Sequence, residues 1–228
     1  KEYIRKGLVA VNGQVETLAK RIVDTDDEIS LNNEIIGYQA YVYFMLNKPK
    51  GVITATRDRR DTVLDLLDEE DRKRDVFPVG RLDMDTTGLL LITDDGRLAH
   101  ELLSPKKKVP KTYLALVDKA LDEKDIQAFQ KGFYLEPEKV LTQAADLEIL
   151  EEKLARVTIV EGKYHQVKRM FAFCGKEVIE LRRISVGKLM LDESLKEGEY
   201  RPLLEEEINL LNEVGEGTEE FSTDVSYT

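Results

Sequence analysis

The sequence predicts an α+β fold: a mixed, largely antiparallel β-sheet with flanking helices over residues 41–212, preceded by a small module at 1–37. Three observations predict it. Tyr41-Val42-Tyr43-Phe44-Met45-Leu46 is dense in β-branched and aromatic residues and reads as a central strand. Ala144–Leu150 and Leu154–Val160 are β-type runs joined by Glu151-Glu152-Lys153, which makes a hairpin. Helical segments with their own caps are interspersed among the strands, and a β-rich body of about 170 residues is an ordinary domain size.

The elements follow in order. Glu2–Lys6 is a short helical start stopped by Gly7, and Leu8–Val11 is a strand ending in Asn12-Gly13, a pair that favours the positive dihedrals of a hairpin turn. Arg21–Val23 and Glu28–Leu31 are further strand-like pieces, and Ile35–Ala40 reads as a linker. After the strand at 41–46, Asn47-Lys48-Pro49-Lys50-Gly51 is a turn by its Pro and Gly. Lys48 and Lys50 there are either solvated turn residues or phosphate contacts. Asp61 is placed to cap a helix that buries Val63, Leu64, Leu66 and Leu67. Residues 68–75 form a charged loop. Arg97–Leu103 is a short helix with Leu98, Leu102 and Leu103 inward and His100 at the surface or half-buried rather than catalytic.

Ser104–Pro110 is a basic loop holding Lys106, Lys107 and Lys108 between prolines, either solvated or set against an RNA backbone. Lys111–Val117 alternates as a strand, with Tyr113 and Ala115 on one face. Asp122 caps a helix that runs to Lys131 and ends at Gly132. Val167, Met170, Phe171 and Cys174 recur at helical spacing up to Gly175, so Cys174 packs rather than reacts. Glu177–Leu191 holds more strand and Leu204–Asn212 an acidic closing helix. Residues 213–228, polar and negative, are predicted disordered.

Composition bounds the rest. The net charge of −11 argues against a nucleic-acid binder until its distribution is seen. Eight acids and no Lys or Arg lie beyond Leu204, which leaves −3 for residues 1–204. One cysteine excludes an intramolecular disulfide framework and suits a reducing cytosol. Two histidines make a zinc site of the usual ligand types improbable. No apolar run approaches the roughly 18 residues of a membrane span. No nucleotide-cradling glycine string occurs either. The expectation is a cytoplasmic monomer with no metal and no cofactor.

Val79-Gly80-Arg81-Leu82-Asp83-Met84-Asp85-Thr86-Thr87-Gly88 is the stretch the rest serves. It lies between two apolar runs, Val76–Pro78 and Leu89–Ile92, that read as short buried strands, and loops on such scaffolds often carry reactive groups. Arg81 and Asp83 are two apart and point the same way in extended backbone, where an arginine favours the charged carboxylate. That describes an anionic nucleophile or base at a substrate mouth, or a turn with a surface ion pair. Lys168 and Arg169 near a helix start are disfavoured by the helix dipole unless an anion sits opposite, a misfit typical of functional sites.

These strings resemble the pseudouridine synthases. Gly80-Arg81-Leu82-Asp83 is similar to their catalytic motif, and the longer form to Gly88 resembles the ribosomal small-subunit (RsuA-type) branch. Asn47–Gly51, Lys111-Thr112-Tyr113, Glu161–Phe171 and Leu181–Ile184 resemble the family's other motifs, in order. Ile4–Gly13 with Asp27-Glu28-Ile29 resembles the second half of the RNA-binding domain named after ribosomal protein S four, an S4-like module that is incomplete as given. The resemblance implies that Asp83 is the nucleophile, that Lys168 pairs with it, and that Tyr113 stacks on the target base. It implies RNA contacts at Arg81, Lys48, Lys50, Lys106, Lys107, Lys108, Lys111, Arg169 and Arg182, with Arg5 and Lys6 from the front module. The implied partner is 16S rRNA, free or in a partly assembled small subunit, with 23S rRNA as the alternative. Two other classes compete: a metal-dependent glycosyltransferase using Asp83-Met84-Asp85 as an Asp-x-Asp ligand pair, and a non-catalytic RNA-binding assembly protein.

Overall fold

A computed structural model describes residues 1–24, 27–36, 41–136 and 138–216, and the chain divides into two compact units, 1–41 and 42–228. In the first unit a one-turn helix α1 (Glu2–Arg5) precedes β1 (Val9–Val11), β2 (Gln14–Val15), β3 (Ile29–Leu31) and β4 (Glu34–Ile36). They form one antiparallel sheet in the order β2-β1-β3-β4. Asn12 and Gly13 carry the positive φ angles of the β1–β2 turn, as their pairing predicts. The Asn12 amide also donates to Asp27 at 2.7 Å. Arg21–Val23 is not a strand. The Glu16 carboxylate accepts from the Leu18 amide and from Arg21, which folds this segment into a loop and leaves Ile22 91% exposed. Residues 37–40 of the expected linker lie outside the described residues.

The second unit is built on β5 (Tyr43–Lys48), β6 (Phe77–Pro78), β7 (Thr87–Thr93), β8 (Lys111–Val117), the β9–β10 hairpin (Tyr134–Leu135, Val140–Leu141), β11 (Asp146–Glu151), β12 (Leu154–Ile159), β13 (Val178–Val186), β14 (Leu189–Met190) and β15 (Tyr200–Pro202). Its helices are α2 (Glu69–Arg72), α3 (Gly96–Leu103), α4 (Glu123–Lys131), α5 (Gln166–Phe173) and α6 (Glu205–Glu216). The main sheet runs β11-β12-β8-β13-β7-β5-β15, with β6 and β14 as side branches. All neighbours are antiparallel except β13 and β7. The predicted mixed, largely antiparallel α+β class is therefore the observed one. The strand expected to be central, β5, instead lies second from the edge, covered by the short β15.

Both faces of the sheet are covered, which is why β7 is apolar without alternation. Leu90 and Ile92 pack with Leu46, Phe129 and Phe171 on the side of α4 and α5. Leu89 and Leu91 pack with Met45, Leu98 and Leu102 on the side of α3, where Leu211 of α6 also sits. Leu103, expected inward, is 47% exposed. The helix predicted from Asp61 is a 3-10 turn, Val63–Leu66, begun by Thr62, whose amide and hydroxyl donate to Asp65 at 2.8 and 2.9 Å. Asp122 caps α4 as expected, accepting from the Lys124 amide at 2.8 Å. The Cys174 thiol is pushed up to about 11 by burial and by the nearby Asp125 carboxylate, which suits packing rather than reaction. Arg201 ties Asp192 to Glu207 at the start of α6. That helix continues to Glu216, past the predicted start of a disordered tail, and residues 217–228 lie outside the described residues.

One glycine decides how the two site-bearing strands meet. At Gly88, where β7 pairs parallel with β13, φ is +101° and an added Cβ would lie 2.2 Å from the Arg183 carbonyl oxygen. Gly88→Ala is expected to destabilise the unit by about 3 kcal/mol or more, because backbone strain and a backbone clash coincide. A thermal midpoint unchanged within error would contradict this.

Candidate active site

The loop before β7 is pinned from beneath. The Asp83 carbonyl accepts from the Thr86 amide at 3.1 Å, closing a turn over Asp83–Thr86, and the Met84 carbonyl accepts from the Gly51 amide at 2.8 Å. Thr54 is buried and its hydroxyl both donates to the Leu82 carbonyl at 2.8 Å and lies 3.2 Å from the Leu82 amide. Thr54→Val, which keeps the shape and removes these bonds, is expected to cost about 1–3 kcal/mol of stability and to lower activity with it. Chemical denaturation read beside an activity assay checks both.

Lys48, expected to hold phosphate, does something else. It is fully buried, and its ammonium donates to the carbonyls of Pro49 at 2.9 Å and Thr86 at 3.0 Å, with Met84 at 3.4 Å. Burial pushes it down to about 8. A lysine spent on backbone carbonyls behind the loop is not offered to an RNA backbone. The sequence Lys-Pro-x-Gly gave no sign of this, since it reads as a solvated turn.

Helix α5 brings the cation. Its Lys168 ammonium lies 2.9 Å from Asp83 Oδ2 and 2.5 Å from Asp85 Oδ1. Burial pushes this lysine down, but its hydrogen bonds to Asp85 and Asp83 outweigh that and leave it raised. The same bond from Lys168 holds the Asp85 carboxyl below its ordinary range. The cation at a helix start thus has its anions opposite, as the dipole argument requires. Arg169, its neighbour, is pinned to the Glu138 carboxylate at 2.8 Å and to the Glu136 carbonyl. That is a fold-holding use rather than the RNA contact expected of it.

His165 starts α5 with a left-handed backbone (φ 47°), and its Nε2 lies 3.4 Å from Asp83 Oδ1. Its ring stacks on Tyr164 at 3.8 Å between centroids. Its contact with Asp83 is not readable from the string. The turn that aims it is held by Gln166, whose side chain accepts from the Lys163 amide at 2.9 Å and donates to Glu161 at 2.8 Å.

Arg81, Asp83, Lys111, Tyr113, Lys163, His165 and Arg183, among others, line one cleft of about 640 Å³. Tyr113 is 7% exposed on β8, on the strand face that the alternation assigned. Arg81 and Asp83 both line the cleft, as their two-residue spacing predicts. Of the Arg182-Arg183 doublet, Arg183 rather than Arg182 lines it. Arg183 pairs across from Tyr113 in the β8–β13 register and so shares its face, a phase that two adjacent arginines cannot reveal in sequence. Lys50 is exposed and pairs with Glu180 at 3.2 Å. Lys106 and Lys108 are exposed, Lys107 is half-buried, and none of the three lines the cleft. Arg5 and Lys6 are exposed in the first unit, with Lys6 paired to Glu2 at 2.6 Å.

Among the described residues no group of three or more His, Cys, Asp or Glu could hold a metal, and no helix is long and apolar enough to cross a membrane.

Comparison with known proteins gives this geometry its context. The family model described as RNA pseudouridylate synthase matches residues 42–173. An uncharacterized RNA pseudouridine synthase, YtzG, of Bacillus subtilis (strain 168) is 45% identical, covering 93% of this chain and 91% of that protein. Ribosomal small subunit pseudouridine synthase A of Escherichia coli (strain K12) is 44% identical over 90% of this chain and 89% of its own length. A solved pseudouridylate synthase superposes with a TM-score of 0.72 at 41% identity, covering 92% of this chain and 91% of that one. The fold, the cleft and these relatives agree, and the chain belongs to the RNA pseudouridine synthase family of isomerases.

Proposed function

We propose that this protein isomerises one uridine of 16S rRNA to pseudouridine, with Asp83 as the nucleophile. The observation that carries the reading is the Asp83–Lys168 pair in a cleft walled by Tyr113. The reaction breaks the N-glycosidic bond, turns the uracil and joins its C5 to the ribose carbon. A proton leaves C5 and the released N1 takes one up, so nothing is oxidised and no cofactor is consumed. Asp83 attacks as the anion, which the Lys168 ammonium favours. A folded RNA hides its base, so the uridine is flipped out at a cost of about a few kcal/mol. Tyr113 offers its ring to the uracil, a contact worth roughly 1–3 kcal/mol in comparable stacks. Arg81, at the exposed edge, is placed to fill the vacated stack or hold phosphate.

The assignment to 16S rRNA is supported by the names of the Escherichia coli and Haemophilus influenzae (strain ATCC 51907 / DSM 11121 / KW20 / Rd) relatives, both ribosomal small subunit pseudouridine synthases. The alternative substrate is 23S rRNA. The first unit is proposed to be an S4-like RNA-binding module, and the substrate to be met free or in a partly assembled small subunit. The protein is proposed to act as a cytoplasmic monomer.

A metal-dependent Asp-x-Asp reading is disfavoured by what stands between the carboxylates. Lys168 contacts both, so a divalent ion there would have to displace an ammonium and meet its charge. Mapping pseudouridines in rRNA from cells with and without this protein tests the whole proposal. One site is expected to vanish from 16S rRNA. Loss from 23S alone would move the substrate, and an unchanged map would refute the assignment to rRNA.

A further inference from the structure

The mouth of the cleft carries an aromatic side chain that the isomerisation itself leaves unused. Tyr164 lines the cleft, is 71% exposed, and is the most exposed aromatic among the described residues. A lone exposed tyrosine needs no explanation. This one is fixed in place. One face of its ring rests on the His165 imidazole, 3.8 Å between centroids and 18° from parallel. With that face covered and so much of the residue still exposed, the other face is open to solvent.

The turn beneath the two rings spends stability rather than adding it. His165 stands at the N-cap of α5, where Ser, Thr, Asp or Asn would accept from the first free amides, and it makes no such side-chain bond. Its backbone is left-handed, with φ at 47°, a conformation disfavoured for L-residues. The flanking bonds nevertheless hold it there. The Tyr164 carbonyl accepts from Arg169 Nη1 at 3.1 Å and the His165 carbonyl from the Arg169 amide at 3.0 Å, while Arg169 is itself tied to Glu138. Gln166, 3% exposed, braces the other side through the Lys163 amide and Glu161. A strained, uncapped helix start that its surroundings over-determine points to a use other than folding.

We propose that Tyr164 is the stacking platform for the base of an unpaired nucleotide next to the target uridine. This rests on the uridine-isomerising reading above and names the substrate class: a uridine in a loop or bulge with an unstacked neighbour, not one inside a continuous helix. A fixed aromatic ring accepts the flat face of a base without first being ordered, and bases splayed from loops and bulges are commonly held so. The seat also lies in the right place. The ring under Tyr164 is the one whose Nε2 is 3.4 Å from Asp83 Oδ1. A base on Tyr164 extends a stack that ends at the reacting residue, so its nucleotide sits beside the one being isomerised. Stacking reads a ring rather than a hydrogen-bond pattern, so the platform senses that the neighbour is unpaired and not which base it is.

The experiment uses the full chain and a 16S rRNA fragment carrying the uridine found by the mapping above. The fragment is made intact, with the nucleotide on the 5′ side abasic, and with that on the 3′ side abasic. For the wild type, kcat/KM is expected to fall about tenfold on one of the two abasic RNAs, chiefly through KM. Tyr164→Ala is expected to lose about as much on intact RNA and nothing further on that abasic RNA. Tyr164→Phe, which keeps the flat ring, is expected to retain most of the wild-type value. Exchanging the neighbour among the four bases should change little. A Tyr164→Ala loss that simply multiplies with the abasic loss would overturn the platform, since a merely structural tyrosine acts whatever the neighbour is. So would the absence of any loss on both abasic RNAs, or Tyr164→Ala matching the wild type on intact RNA. A short single-stranded RNA with one uridine and 2-aminopurine on its 5′ or 3′ side gives a reading that needs no turnover. Its fluorescence is expected to be quenched by the wild type and not by Tyr164→Ala, and equal signals would overturn the platform. Failure of the isomerase reading looks different: no RNA, intact or abasic, would be turned over, whatever the 2-aminopurine signal does.

Discussion

Asp83→Asn is expected to leave less than about one part in 10⁴ of the wild-type turnover while RNA affinity changes only severalfold. The reasoning is local. The substitution keeps the shape of the side chain, and its remaining oxygen still accepts from Lys168. Lys168 also keeps Asp85 at 2.5 Å, so the helix start stays anchored to the loop. The backbone turn over residues 83–86 and the Thr54 and Lys48 bonds beneath it do not involve the side chain of Asp83 at all. What is lost is the anion: a neutral amide neither attacks carbon nor leaves as a stabilised group, and no neighbouring group replaces it in kind. Single-turnover isomerisation of 16S rRNA fragments, read beside gel-shift affinity, checks both halves. Residual turnover within about a hundredfold of wild type would take Asp83 out of the nucleophile role. A comparable loss in Asp85→Asn, restored by added divalent metal, would instead favour the Asp-x-Asp reading.

How much of this was legible in the sequence varied with the kind of information each element carries. The cap of α4 and the β1–β2 turn were readable because Asp122, Asn12 and Gly13 act through their own backbone neighbours. The strand β7 was readable because its apolar run is continuous, although only the structure shows α3 and α6 on one face and α4 and α5 on the other. The failures share a cause. Lys48 in a Lys-Pro turn, Arg183 beside Arg182, and His165 before a helix all take their roles from partners far along the chain. Lys48 is set by the carbonyls of residues 84 and 86, Arg183 by its register with Tyr113, and His165 by Asp83. Arg169 was misread for the same reason, since Glu138 lies across the fold. Composition misled in a different way. A net charge of −11 hides a cleft in which Lys111 and Arg183 have no carboxylate beside them.

Lys168→Met is expected to slow turnover by about 10²–10³-fold at saturating RNA, the scale seen when one preorganised charge or donor is removed from an active site. The methionine fills a similar volume, so the loss is of charge rather than packing. Without the ammonium, Asp83 and Asp85 lose the cation they share, and Asp83 keeps only His165 Nε2 at 3.4 Å. Lys48 is near enough to feel both carboxylates, but its protons already serve carbonyls. The Asp85 carboxyl then loses the bond that holds it below its ordinary range, and two carboxylates without a cation between them resist joint ionisation. The sign follows: the variant should lose activity on the acid side and recover as pH rises, whereas the wild type, with Lys168 raised and Asp85 lowered, should be flat there. Adding Asp85→Asn to Lys168→Met removes the repulsion and should restore part of the rate, a coupling that a double-mutant cycle measures. If Lys168→Met keeps the wild-type rate and pH profile, or if Asp85→Asn gives no relief in its background, the ammonium is not what keeps Asp83 charged. The case for a lysine-held nucleophile then fails even though the two side chains touch.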